Sequence, residues 1–229
     1  MNSLDHIRAQ IATTCQRCGR DPQEVILVGA SKTHTAPELE PFFLAGLRDL
    51  GENYVQEGLP KIGFFTERGL HPTWHLIGAL QSNKARDAVA HFDLIHSLDR
   101  LSLAKELDKE ARKIGKVQRA LIQVNVGHED SKAGVAPDAV AALLEKCVGF
   151  SNLRVEGLMS LPPYSDDPQQ TRPYHRQLRE LRDRLKTTEL PLSLLSMGMS
   201  RDFEIAIEEG ATHVRIGTAL FGTRSYTAR

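Results

Sequence analysis

The sequence predicts an α/β fold: a single (β/α)8 barrel of the TIM type, with an extra N-terminal helix, formed as one domain over residues 1–229. Eight short apolar runs alternate with segments of helical period, and the 229 residues fall slightly short of the ~250 typical of such barrels. Strands that alternate with helices form a parallel sheet through right-handed crossovers. An open, doubly wound sheet is the alternative, but the first run is not followed by its Gly-rich turn, G-x-G-x-x-G.

The predicted elements follow one another in a regular order. Ile7, Ile11 and Cys15 recur at four-residue steps and indicate the N-terminal helix. The eight predicted strands cover residues 25–30, 46–51, 74–78, 93–97, 120–126, 155–159, 192–197 and 213–217. Apolar residues at helical spacing mark helices at 101–114, 139–147 and 174–185. The Pro/Asp-rich residues 162–168 predict a long loop after the sixth strand and not a domain boundary.

The composition excludes several classes of function. Lys and Arg together number 29, as do Asp and Glu, so no net charge attracts nucleic acid or an anionic membrane. No apolar stretch approaches the ~20 residues of a membrane span. The first residues lack the basic region and apolar core of a signal peptide. We therefore expect a cytoplasmic protein that binds neither nucleic acid nor membrane.

The three cysteines are too few for a disulfide framework. Cys15 and Cys18 have the spacing of a redox motif or of half a zinc site. No second Cys/His pair with finger-like spacing is present and no strand precedes them, so we interpret them as structural. Cys147 lies in an Ala/Leu helix pattern and is interpreted as a small core residue. We expect no metal site.

Lys32 is the most informative residue. It comes directly after residues 25–31, an apolar run typical of a buried parallel strand. An amine at the end of such a strand is costly, because desolvation opposes its charged form. One use of that arrangement is a nucleophilic lysine that forms a Schiff base with an aldehyde. The alternative is a solvated loop lysine, the usual state of lysine in proteins.

The strand ends carry further polar side chains, which a barrel brings together on one face. Gly198 and Ser200 open a helix after the seventh strand, and Gly217 and Thr218 open another after the eighth. Helix N-termini at these two positions commonly hold a phosphate in barrels, although ordinary helix capping by Ser200 is the alternative. A lysine that traps an aldehyde, beside a phosphate site, predicts pyridoxal 5′-phosphate (PLP). Other polar residues at the strand ends are Ser31, Glu52, Asn53, Ser97, Asn125, Ser160 and Ser196.

Arg215 is expected inside the barrel, near the phosphate-binding turn. There it would donate to the pyridine nitrogen of the cofactor and keep that nitrogen unprotonated, since arginine stays charged. A salt bridge across the barrel is the alternative. His75 would stack or hydrogen-bond near the cofactor, or be a satisfied barrel histidine. Trp74, one step earlier, should point outward to the helices.

A series of motifs in order extends the argument over residues 25–224. They are Ser31-Lys32-Thr33, Gly51-Glu52-Asn53-Tyr54-Val55-Gln56-Glu57, the run from Trp74 to Lys84, Gln123-Val124-Asn125 with Lys132-Ala133-Gly134, Gly157-Leu158-Met159-Ser160, the run from Ser196 to Asp202, and Arg215-Ile216-Gly217-Thr218. In these motifs the chain resembles the pyridoxal phosphate homeostasis protein family.

The resemblance implies a barrel related to the N-terminal domain of alanine racemase, with PLP bound to Lys32 as a Schiff base. It implies a role in supplying or buffering PLP, with PLP-dependent apo-enzymes as candidate recipients. The residues assigned to the cofactor are Lys32, Asn53, His75, Met199, Ser200, Arg215, Gly217 and Thr218. Many members have a second lysine two positions after the first, where this chain has His34. Lys84 and Lys132 are interpreted as surface charges.

We expect a carrier without robust catalysis; the alternative is a PLP-dependent amino-acid racemase or decarboxylase. Racemases that resemble this barrel carry a second, β-rich domain that contributes a catalytic tyrosine to the partner's site. Here twelve residues follow Gly217, with Tyr226 as the only tyrosine among them. Efficient PLP chemistry is expected to need water exclusion and a second proton-transfer group. The solvated helix faces predict a monomer or weak dimer.

Overall fold

Eight parallel strands close into a barrel in the computed structural model, which describes residues 2–129 and 133–222. Each strand pairs with the next, and the eighth pairs with the first. The predicted fold is confirmed. The strands are β1 Ile26–Ala30, β2 Asp49–Glu52, β3 Thr73–Leu76, β4 Leu94–Leu98, β5 Gln118–Val124, β6 Leu153–Ser160, β7 Leu194–Met199 and β8 His213–Ile216.

The α-helices of the described residues surround the barrel. They are α1 Ser3–Arg17, α2 Ala36–Leu44, α3 Val55–Glu67, α4 Ala85–His91, α5 Leu101–Lys113, α6 Val140–Val148, α7 Arg172–Leu185, α8 Phe203–Glu208 and α9 Thr218–Phe221. The extra helix is α1. Its N-terminus is capped by Asn2, whose side chain accepts from the Asp5 backbone N–H at 2.9 Å. That the whole of residues 1–229 forms one domain stays a prediction.

The register of the strands decides which side chains face the inside of the barrel. Val28 lies beside Asp49 on one side and beside Arg215 on the other. Side chains in register across a sheet share a face, and neighbours along a strand alternate between faces. A small apolar cluster of Leu94, Leu121 and Met159 fills one layer of the interior, whereas the larger core lies between strands and helices. A polar layer in the interior joins β2, β3, β4, β7 and β8.

Seven of the eight predicted strands both begin and end within two residues of the observed ones. The second begins at Asp49, three residues later than predicted, because Gly46 occupies the turn after α2 with a φ of +100°. The predicted loop at 162–168 is present up to a short 3₁₀ turn that begins at Pro168. Trp74 points outward as predicted, with its ring 5.8 Å from that of Phe65 on α3.

Candidate functional site

Lys32 lies at the carboxyl end of β1, at the mouth of the barrel. Ser31 still donates its backbone N–H to Gly51 of β2, at 2.9 Å, so the ladder extends to the residue before Lys32. Ser31 is buried and Lys32 is exposed. An exposed amine beside a rigid strand end is open to an aldehyde, but it is also the state of a solvated loop lysine, so Schiff-base formation by Lys32 stays a prediction.

A buried polar cluster holds the peptide just before Lys32. The Lys61 amine, on α3, donates to the Ser31 carbonyl oxygen at 2.8 Å and to Glu52 Oε1 at 2.6 Å. The Ser31 hydroxyl donates to the same carboxylate oxygen at 2.5 Å. Glu52 is fully buried and Lys61 is 8% exposed. Glu52 therefore lies outside the barrel against α3, and not among the mouth residues as the sequence suggested, because it alternates with the inward-facing Asn53.

Asn53 follows β2 and is half-buried at the mouth. A Cβ on Gly78, after β3, would overlap the Asn53 carbonyl oxygen, so only glycine fits at position 78. This backbone contact fixes the Asn53 peptide against the neighbouring strand end.

The loops after β7 and β8 meet at the mouth, but Ser200 lies in the turn before α8 and does not open or cap that helix as the sequence suggested. The Ser200 hydroxyl lies 3.5 Å from that of Thr218 and 3.4 Å from the Ala219 backbone N–H. A Cβ on Gly217 would lie 3.3 Å from the Ala30 carbonyl oxygen, so the backbone is close to β1 here. Hydroxyls and backbone N–H groups are donors that a phosphate accepts. The donor set at this point of the mouth fits the phosphate of PLP.

The Asp202 carboxylate holds the loop after β7 in place. Asp202 accepts from the Met199 backbone N–H at 2.7 Å and from His175 Nε2 of α7 at 2.8 Å. Burial acts to raise the pKa of Asp202, but these hydrogen bonds, His175 first, leave it below its ordinary value. The ionised carboxylate holds Met199, which is 38% exposed, at the rim of the mouth.

Arg215 lies inside the barrel and is 3% exposed. Its Nη1 donates to Ser196 Oγ at 2.6 Å and its Nη2 to the Ser160 carbonyl oxygen at 2.9 Å. Both partners are uncharged, so these contacts do not form the salt bridge that was the alternative. Burial lowers the pKa of Arg215 to about 10, which leaves the guanidinium charged at neutral pH. It has five N–H groups, of which these contacts use two, so donors remain for a ligand.

His75 lies within the barrel and is 2% exposed. Its Nδ1 is 2.9 Å from His96 Nε2, and its Nε2 is 2.9 Å from Asp49 Oδ1. Both ring nitrogens are thus engaged within the protein, which favours the satisfied barrel histidine over a hydrogen bond to the cofactor. The sequence interpretation missed His96, Asp49 and Lys61. The signal for His96 was a titratable side chain in the otherwise uncharged strand β4.

The remaining candidates have structural surroundings. His34 packs its ring 5.1 Å from that of Phe221, centroid to centroid. Lys84 ends a short 3₁₀ turn after β3 and is half-buried. Lys132 lies outside the described residues. Burial raises the pKa of the Cys147 thiol to about 11.

Cys15 and Cys18 are both free thiols, at the end of α1. Cys15 is fully buried, and burial raises the pKa of its thiol above the ordinary value. A raised pKa disfavours the reactive thiolate, which supports the structural interpretation. Among residues 2–129 and 133–222, no helix is long and apolar enough to cross a membrane.

The fold and this mouth define a class: a (β/α)8 barrel with an exposed lysine after its first strand and phosphate-type donors after its last two. The chain belongs to the family described as "Alanine racemase, N-terminal domain", which matches residues 3–225. Among its curated relatives are pyridoxal phosphate homeostasis proteins. The one from Aquifex aeolicus is 48% identical over 97% of each chain, and the one from Pseudomonas aeruginosa is 44% identical over 99% of this chain and 96% of its own.

Solved structures agree with the fold. PipY of Synechococcus elongatus, with PLP bound, has a TM-score of 0.79 and 38% identity, covering 93% of this chain and all (100%) of its own. Alanine racemase of Clostridium difficile has a TM-score of 0.73 at 11% identity, covering 96% of this chain and 57% of its own. At that identity the likeness shows the fold alone.

Proposed function

We propose that this protein binds PLP on Lys32 and serves in PLP homeostasis, as a carrier or buffer without robust catalysis of its own. The observation that carries the proposal is the combination at one mouth of an exposed lysine, a buried arginine with unused donors and a pair of hydroxyls beside backbone N–H groups. The names of the curated relatives and the PLP-bound PipY structure support it.

Each residue has a distinct role in this proposal. PLP supplies an aldehyde, with which the Lys32 amine condenses as water is lost. Arg215 donates to the pyridine nitrogen and, staying charged, keeps it unprotonated. Ser200, Thr218 and the backbone at Gly217 hold the phosphate. Asn53 and Met199 lie at the rim, and His75 lies deeper in the barrel.

Borohydride reduction followed by peptide mass mapping tests the assignment. The purified protein is loaded with PLP, and we expect the pyridoxyl label on Lys32. Lys32→Ala should lose the absorbance band of the bound cofactor, whereas Lys84→Ala, at the same end of the barrel, should keep it. A label found on Lys84 or Lys132 and not on Lys32 would contradict the proposal.

An amino-acid racemase or decarboxylase is the second candidate, favoured by the family match. Under the carrier proposal, PLP-loaded protein turns over common amino acids far below the ~1–1000 per second typical of enzymes. A turnover above about 1 per second with any of them would establish the enzyme instead.

Transfer of PLP to apo-enzymes, location in the cytoplasm and a monomeric or weakly dimeric state belong to the same proposal. Sedimentation of the loaded protein tests the oligomeric state. Reactivation of a PLP-dependent apo-enzyme by loaded protein, compared with an equal amount of free PLP, tests transfer.

A further inference from the structure

A chain of hydrogen bonds crosses the inside of the barrel from a cation to a carboxylate. Arg215 Nη1 lies 2.6 Å from Ser196 Oγ, and the same oxygen lies 2.8 Å from His96 Nδ1. His96 Nε2 is 2.9 Å from His75 Nδ1, and His75 Nε2 is 2.9 Å from Asp49 Oδ1. The chain thus joins β8, β7, β4, β3 and β2 in one continuous line.

The chemistry of the two ends gives every bond the same direction. A guanidinium can only donate, so Ser196 Oγ accepts from Arg215, and among the described residues His96 Nδ1 is the acceptor within reach of the Ser196 hydroxyl proton. A neutral imidazole that accepts at Nδ1 carries its proton on Nε2, so His96 donates to His75 Nδ1. His75 then donates from Nε2 to Asp49, since a carboxylate only accepts. Both histidines are therefore Nε2–H tautomers.

The surroundings keep His96, in the middle of the hydrogen-bond chain, neutral. Burial, the nearby His75 and His213, and the charge of Arg215 hold the pKa of His96 well below its ordinary value. The His213 ring lies 6.1 Å from that of His96 and 5.9 Å from that of His75. Burial and the charges around it lower the pKa of His213 to about 3. Outside the hydrogen-bond chain, two further charged groups of the described residues act on this layer: Arg119 on the histidines and Asp202 on Arg215.

The hydrogen-bond chain connects the cofactor side of the barrel with its opposite end. Arg215 is near the end of β8 and has donors to spare, whereas Asp49 is the first residue of β2 and its side chain is 19% exposed. A guanidinium without a contacting carboxylate keeps its orientation only through its neutral acceptors. The Ser196 hydroxyl is one of these acceptors, and its proton direction is fixed by the histidines behind it.

We propose that Ser196, His96, His75 and Asp49 are positioning residues for Arg215, fixing which of its N–H groups face the pyridine nitrogen of PLP. This inference rests on the proposed function. This role predicts that the absorbance spectrum and the affinity of bound PLP change when Asp49, at the far end of the hydrogen-bond chain, is replaced. His75 acts on the cofactor through Arg215 instead of touching it with a ring nitrogen.

The tautomers are tested first, on the protein without PLP. Long-range ¹H–¹⁵N spectra of ¹⁵N-histidine-labelled protein should show His75 and His96 as Nε2–H tautomers at neutral pH, with His75→Gln and His96→Gln giving the assignments. Asp49→Leu removes the terminal acceptor and should shift the His75 nitrogen resonances. A wild-type Nδ1–H tautomer at either histidine would overturn the proposal.

The effect on the cofactor is tested by titration with PLP and by the pH dependence of the bound absorbance band. Ser196→Ala should weaken PLP binding about tenfold, because Arg215 loses an acceptor, and Ser196→Thr, which keeps the hydroxyl, should restore most of it. Asp49→Leu should move the pH midpoint of the band, and Asp49→Asn, which keeps an acceptor, should move it less. The exposed Asp138→Asn serves as the matched control and should leave both readouts at wild-type values.

The outcomes separate this inference from the proposed function. If wild-type protein binds PLP but Ser196→Ala and Asp49→Leu match it in affinity and pH midpoint, the positioning role is wrong and the function stands. If wild-type protein takes up no PLP, both fall.

Discussion

At the residue scale, two lysines near the mouth have opposite surroundings. Lys32 is exposed at the mouth, whereas the Lys61 amine is buried between Ser31 and Glu52. Such a pair gives little net stability, yet removal of one partner leaves a buried charge without compensation. The role of Lys61 is therefore to hold the strand end that carries Lys32.

Replacement of Lys61 by methionine should test this role. Lys61→Met leaves the fully buried Glu52 unpaired and should lower the free energy of unfolding by about 3–5 kcal/mol in urea titrations. The double variant Lys61→Met/Glu52→Gln should recover part of the loss. Lys186→Met, which breaks an ion pair with 51% of the lysine side chain exposed, should have little effect. Equal stability of Lys61→Met and Lys186→Met would contradict the prediction.

Ser200 is the residue for which phosphate binding can be separated from aldehyde binding. Its hydroxyl faces Thr218 and the backbone of Ala219 at the mouth. Ser200→Ala should weaken PLP binding about tenfold to a hundredfold, the contribution of a hydrogen bond to a charged group. Binding of unphosphorylated pyridoxal should hardly change. Titrations with both aldehydes, with the exposed Ser193→Ala as control, make the comparison; equal weakening of both would place the phosphate elsewhere.

Single residues also show which placements could be predicted from the sequence. The places of Lys32, Ser200 and Arg215 in the barrel were predictable because the strand ends of a parallel barrel converge, whereas their roles toward PLP stay predictions. Lys61 and the partners of His96 were not, because their contacts join residues 30 and 100 positions apart. Nothing in the local pattern encodes such pairs.

At the scale of elements, apolar runs located the strands well because a buried parallel strand needs both faces apolar. Helices α2 and α3 were harder to predict, since each contains an internal proline, Pro41 and Pro60, which normally interrupts a helical pattern. Capping compensates in α2, where the Thr35 and Glu38 side chains form a capping box.

The end of β7 depends on one glycine. Gly198 has a φ of +88°, and a Cβ there would lie 2.9 Å from Phe203 Cα of α8. The left-handed backbone alone should lower the free energy of unfolding of Gly198→Ala by about 1–2 kcal/mol. The steric clash with α8 should add a further loss of ~1–3 kcal/mol. It should also weaken PLP binding by displacing Met199 and Ser200.

Gly69→Ala is the matched control for that prediction. Gly69 has a φ of +66° with open space around its Cα, so alanine there meets the backbone strain without the steric clash. Urea titrations and PLP titrations of both variants make the comparison. Equal loss of stability in the two, with PLP binding unchanged in Gly198→Ala, would contradict the role assigned to this turn.

At the scale of the whole molecule, the polar layer inside the barrel should make the fold sensitive to acid. Burial first, and then the nearby His75, Arg119 and Arg215, lower the pKa of His213 from 6.5 to about 3. Below pH 6.5 the unfolded chain therefore binds a proton that the folded barrel refuses, so stability falls as the pH falls. His213 should contribute about 1.4 kcal/mol per pH unit well below that value, and nothing above it. Urea titrations between about pH 7 and about pH 5 should show stability falling with pH, by about 1 kcal/mol per pH unit on average over this window, and His213→Gln should remove this part of the slope. The exposed His71→Gln should leave the slope unchanged, and an unchanged slope in His213→Gln would mean that His213 is not held neutral in the folded barrel.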